Sequence, residues 1–88
     1  IQSTADINLD ISEVDLTLTA SGSHADIISA GIIDINNVRG VHLTGGVNKH
    51  ASIYTTAGGA ITINDAVPVA DSNLSMTGGS GDDGYASI

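Results

Sequence analysis

Apolar and polar residues alternate in short runs along this chain. Asp15-Leu16-Thr17-Leu18-Thr19 and Ala60-Ile61-Thr62-Ile63-Asn64 are the cleanest of them. A period of two puts successive side chains on opposite faces of a strand and gives that strand one buried face. Between the runs lie Gly, Asn, Asp and Ser, which supply turn geometry. No longer segment carries a helical apolar stripe, and even residues 10–18 alternate too regularly for one. Bends such as Ser29-Ala30-Gly31 and Ala57-Gly58-Gly59 are too short to hold a crossover helix.

The alternating runs belong to a repeat. Asp6-Ile7-Asn8 recurs as Asp34-Ile35-Asn36 and as Thr62-Ile63-Asn64, a step of 28 residues each time (positions 6, 34 and 62). A second motif reads Leu18-Thr19-Ala20-Ser21, Leu43-Thr44-Gly45-Gly46 and Met76-Thr77-Gly78-Gly79. A third reads Ala25-Asp26-Ile27, Ala51-Ser52-Ile53 and Ala86-Ser87-Ile88. The order is the same in every round. Three motifs in fixed order with connections of varying length predict an all-β parallel β-helix, a solenoid. It would have about three coils of roughly 28 residues, each with three short strands, over residues 1–88 as one segment. An antiparallel sandwich is the competing architecture. The solenoid predicts ladders between coils: Asn8, Asn36 and Asn64 at one corner, and Ile7, Ile35 and Ile63 inside. Leu18, Leu43 and Met76 form a second inner column, Ile27, Ile53 and Ile88 a third, and Thr19, Thr44 and Thr77 line an outer face. The longest connection, residues 65–73 around Pro68, is the first place to look for a binding loop.

Composition narrows the picture. The chain has 88 residues, 41% hydrophobic but only 2% aromatic, and its rings are Tyr54 and Tyr85 with no Phe or Trp. A narrow interior built of Ile, Val, Leu and Ala accounts for that bias. Mean hydropathy is +0.21, which favours a folded chain despite the net charge of −8. That charge excludes ordinary nucleic-acid binding and argues against docking on anionic membranes. There is no Cys, so disulfides, thiol catalysis and Cys-based zinc are out. No apolar run is long enough for a membrane-spanning helix, so no membrane insertion is expected. The opening residue is Ile1, which predicts processing or excision, and no signal peptide opens the chain. A core this small needs help, so partnership is expected either with further coils of a longer parent array or with other copies stacked end to end.

Several phrases have a family likeness. Leu16-Thr17-Leu18-Thr19-Ala20-Ser21-Gly22, residues 55–67 from Thr55-Thr56-Ala57-Gly58-Gly59 onward, and Asn73-Leu74-Ser75-Met76-Thr77-Gly78-Gly79 resemble the passenger repeats of large bacterial surface proteins. The likeness is to filamentous-haemagglutinin-type adhesins and autotransporter passengers. It implies a right-handed β-helix, an extracellular or cell-surface location and adhesive or scaffolding work. The partner it implies is a host or matrix receptor, which no stretch of the sequence identifies.

A second likeness is local. Gly78-Gly79-Ser80-Gly81-Asp82-Asp83-Gly84-Tyr85-Ala86 resembles the calcium-binding nonapeptide of haemolysin-type (RTX) repeats. It implies Gly79, Gly81, Asp82 and Asp83 as calcium ligands, since glycine carbonyls and carboxylates are hard oxygen donors. Only one clean copy is present, and Lys49 in the degenerate copy would repel a cation. A calcium-dependent RTX-type secreted or S-layer module is therefore the alternative reading. A carbohydrate-active β-helix or phage tail-spike segment is a further one. Ser, His and Asp all occur, yet there is no Gly-x-Ser-x-Gly elbow for a hydrolytic triad. His24, His42 and His50 show no ligand spacing on a common strand face and read as exposed loop or strand residues. The expectation is a structural and adhesive protein, not an enzyme, with no cofactor other than the calcium candidate.

Overall fold

The computed structural model describes residues 1–65 and 73–88. Ten strands follow one another: β1 (Gln2–Ser3), β2 (Ile7–Asp10), β3 (Asp15–Thr19), β4 (Ala25–Ser29), β5 (Ile33–Val38), β6 (Gly40–Thr44), β7 (Ala51–Thr55), β8 (Ile61–Asp65), β9 (Asn73–Thr77) and β10 (Ala86–Ser87). There is no helix among the described residues. The strands form three parallel sheets, ordered β1-β4-β7-β10, β2-β5-β8 and β3-β6-β9. The chain therefore visits the three sheets in rotation and returns to each one strand further along. This is a solenoid-like parallel β arrangement of layers: β2-β3-β4, then β5-β6-β7, then β8-β9-β10.

Register decides which side chains meet. Leu18, Leu43 and Met76 lie beside one another, as do Thr19, Thr44 and Thr77. Ile27 lies beside Ile53. Ile88 follows the last paired residue, Ser87.

The first motif corrects the expected ladders. Ile7 pairs with Ile33 rather than Ile35, and Asn8 with Asp34 rather than Asn36. Ile35 instead faces Leu9 on one side and Ile63 on the other. The step is 26 residues from β2 to β5 (7 to 33) and 28 from β5 to β8 (33 to 61). A slip of two residues keeps every side chain on its own face, so the apolar pattern cannot distinguish the two registers. The asparagine ladder shrinks to one rung, Asn64 Nδ2 donating to Asn36 Oδ1 at 2.7 Å, while Asp10 pairs with Asn36 where Asn8 was expected.

The corners are held by local hydrogen bonds. Between β2 and β3, Ser12 and Glu13 take left-handed φ values of 56° and 67°. Asp10 Oδ1 accepts the Ser12 N–H at 2.9 Å, and the Glu13 N–H donates to the Asn37 carbonyl at 2.7 Å. At the corner leading to sheet β2-β5-β8, buried Ser29 donates its hydroxyl to the Ala5 carbonyl at 2.6 Å and accepts the Gly31 N–H at 3.0 Å. Layers pass so closely there that a Cβ on Gly59 would strike the Gly31 carbonyl.

The core lies in the first and middle layers. Ile27, Ile33, Ile35, Val38, Leu43 and Ile53 are fully buried. The third layer repeats the pattern without the cover. Val41 and Leu43 are 2% and 0% exposed, while their register partners Leu74 and Met76 are 58% and 50% exposed. Both columns thus have two energetic characters, buried in the middle layer and exposed in the third. Leu43→Ala is expected to cost about 2–5 kcal/mol in urea unfolding, as for a buried leucine. Leu74→Ala should stay within about 0.5 kcal/mol of the parent, as for surface sites. Equal losses would contradict the layer assignment.

Candidate functional site

One polar cluster joins all three layers. Strands β4, β7 and β10 begin in register at Ala25, Ala51 and Ala86. The residue before each is His24, His50 or Tyr85. Parallel strands about 4.8 Å apart put equivalent residues above one another, and here those residues are rings. His24 and His50 stack with centroids 3.7 Å apart and planes 20° from parallel. His50 and Tyr85 stack at 4.8 Å and 16°.

Carboxylates close the edges of the stack. His50 Nε2 lies 3.0 Å from Asp26 Oδ2, and His50 Nδ1 lies 3.1 Å from Asp83 Oδ1. Asp26 sits on β4 beside Ser52 of β7, whose hydroxyl donates to Asp26 Oδ1 at 2.6 Å. Asp83 Oδ2 is 3.4 Å from His24 Nε2. The His50 backbone N–H donates to His24 Nδ1 at 3.0 Å, so Nδ1 carries the lone pair and the proton of the His24 ring sits on Nε2. The His50 and Asp26 side chains are only 16% and 17% exposed.

Two carboxylates at the two nitrogens favour an imidazolium, which alone can donate from both. Burial pulls the His50 pKa down, but the hydrogen bonds and charges of Asp83 and Asp26 outweigh it and hold the pKa above the ordinary value. Partial burial, with the charges of Asp83 and Asp26, pushes the Tyr85 hydroxyl above its usual range, so it stays un-ionised in neutral water.

His24, His50 and Asp83 also bring metal-ligating atoms within 4.8 Å of one another. An imidazole lone pair lies in the plane of its ring. Two nearly parallel rings 3.7 Å apart therefore cannot both point one at the same ion. His24 Nε2 also carries the proton. This arrangement suits a proton better than a metal.

The expected calcium residues lie on the same turn. The Gly79 N–H donates to the Gly84 carbonyl at 2.8 Å and the Gly84 N–H to the Gly81 carbonyl at 3.2 Å. Gly79, Gly81 and Asp82 are exposed. Asp83 turns both oxygens to imidazoles. The stack corrects the expectation for His24 and His50, which do share a face. His42 lies elsewhere, 3.5 Å from Asp15, which also binds Arg39 at 3.2 Å. The signal was present one residue ahead of the third motif: His24-Ala25-Asp26-Ile27, His50-Ala51-Ser52-Ile53 and Tyr85-Ala86-Ser87-Ile88 each open on a ring. The connection around Pro68 falls outside the described residues.

No family model, curated protein or solved structure matches this chain. Its chemistry must be read from the cluster itself. Asp26→Asn keeps the shape of the side chain and removes one of two charges on His50. It should lower the His50 midpoint by about one pH unit, followed by the ring protons in an NMR titration. An unchanged midpoint would show that Asp26 does not pair with the imidazolium.

Proposed function

We propose that the chain is a segment of a closed parallel β-helix that serves as a structural and adhesive rod in a bacterial extracellular surface protein or fibre. The observation that carries this reading is the contrast within two neighbouring columns. Leu74 and Met76 occupy the register of buried Val41 and Leu43, yet stand exposed on the third layer. Exposed apolar side chains in a core register, beside strand edges without a partner among the described residues, favour one more layer on that face. Adjoining chain or another copy would supply it. The adhesive, extracellular part of the reading rests on the repeat phrases that resemble surface-protein passengers.

A structural role also fits the polar cluster. Its carboxylates and imidazoles are used up on one another, and an enzyme site would leave donors or a nucleophile facing substrate. The commitment of Asp83 to two histidines weighs against the calcium-dependent module. Among the described residues no helix is long and apolar enough to cross a membrane.

Negative-stain electron microscopy of the full chain tests stacking. Thin unbranched filaments are expected at high concentration, and Leu74→Asp with Met76→Asp should disperse them. Uniform one-chain particles from the parent protein would rule out stacking of copies and leave adjoining chain as the only source of the next layer.

A further inference from the structure

We propose that the His24-His50-Tyr85 stack is a proton-operated latch. With His50 protonated, its ring ties β4 to the turn of residues 79–85 through Asp26 and Asp83, and loss of the proton frees that turn.

The turn is otherwise lightly held. Its backbone ties to the second layer are the Asn48 N–H to the Ser80 carbonyl at 2.8 Å and the Ala51 N–H to the Tyr85 carbonyl at 3.0 Å. Strand β10 then adds only two paired residues, and Ala86, its one apolar member, is half-buried. Asp83 is the turn's carboxylate link to β7 and β4, through His50 and His24.

The neutral ring releases one particular partner. A neutral imidazole has a single N–H. Asp26 is the more buried carboxylate, and Ser52 holds it in place. The remaining proton therefore stays on Nε2, facing Asp26. Nδ1 then turns a lone pair towards Asp83 Oδ1 at 3.1 Å, and attraction becomes repulsion. The other groups around the ring do not compensate. His24 reaches Asp83 only at 3.4 Å, Tyr85 stays un-ionised, and Lys49 precedes the ring in the chain. The Ile1 amino group binds the Asp26 backbone carbonyl, not its carboxylate.

The sign follows from linkage. The folded pKa of His50 lies above its unfolded value of about 6.5, so the stabilisation is complete below that value. It is lost as pH rises through the folded pKa. The latch closes in acid and opens on the alkaline side, uncovering the edge of β7 at Ala51 and Ser52. The device works within one chain, so it stands whether or not copies stack.

The test is amide hydrogen exchange on the full chain between pH 5.5 and 9, in chelator, corrected for intrinsic rates. Protection at Asn48, Ala51 and Gly79 should fall about tenfold as His50 loses its proton, while Leu43 stays constant. His50→Gln should flatten the profile. Asp83→Asn, which keeps the Asp26 pair, should abolish the step if the glutamine variant fails to fold. Protection independent of pH in the parent would overturn the latch, and so would a step that survives in Asp83→Asn.

Discussion

Everything in this protein depends on parallel, in-register hydrogen bonding between successive layers. Once Ala25, Ala51 and Ala86 are aligned, the residues on either side have no choice of neighbour. Leucine meets leucine, threonine meets threonine, and ring meets ring. The core and the polar cluster are two products of one alignment, read from opposite faces of the strands. The buried cluster is made of Ile, Val, Leu and Ala, and the histidine cluster is left to a corner.

Much of this was legible in the sequence. Period-two alternation identified the strands, and the fixed order of three motifs predicted the rotation through three sheets. The columns of Leu18 with Leu43 and of Ile27 with Ile53 follow from that order. Two things were hidden. The first was the β2–β5 register, because a two-residue slip is silent to apolar pattern and the Asp-Ile-Asn likeness favoured the wrong partner. The second was the histidine stack. Strand-face spacing compares residues along one strand, whereas His24 and His50 are neighbours across strands. Asp83 was still less accessible, because it reaches the stack from a turn whose sequence resembles a calcium loop.

The cluster has an unusual balance. It places one imidazolium between two carboxylates on a chain of net charge −8, with only Lys49 and Arg39 as fixed cations. A proton at His50 thus supplies positive charge the sequence otherwise lacks, where two acids from different layers converge. Stacked rings above and below shield it from water, and a serine orients one of the acids. Histidine suits this position because its charge can come and go near neutral pH.

The rotation of the chain through three sheets also has a mechanical meaning. Consecutive layers are joined by rows of backbone hydrogen bonds that run between them. Tension along the stacking direction loads those rows one bond at a time, like a zipper. Tension along the strands would load a whole row together. Such an assembly yields gradually when its layers are drawn apart, giving up one coil's length of chain per step, and resists when sheared. The proton-bound His50 ring, which joins the second layer to the turn of the third, would set the force at which the first step begins.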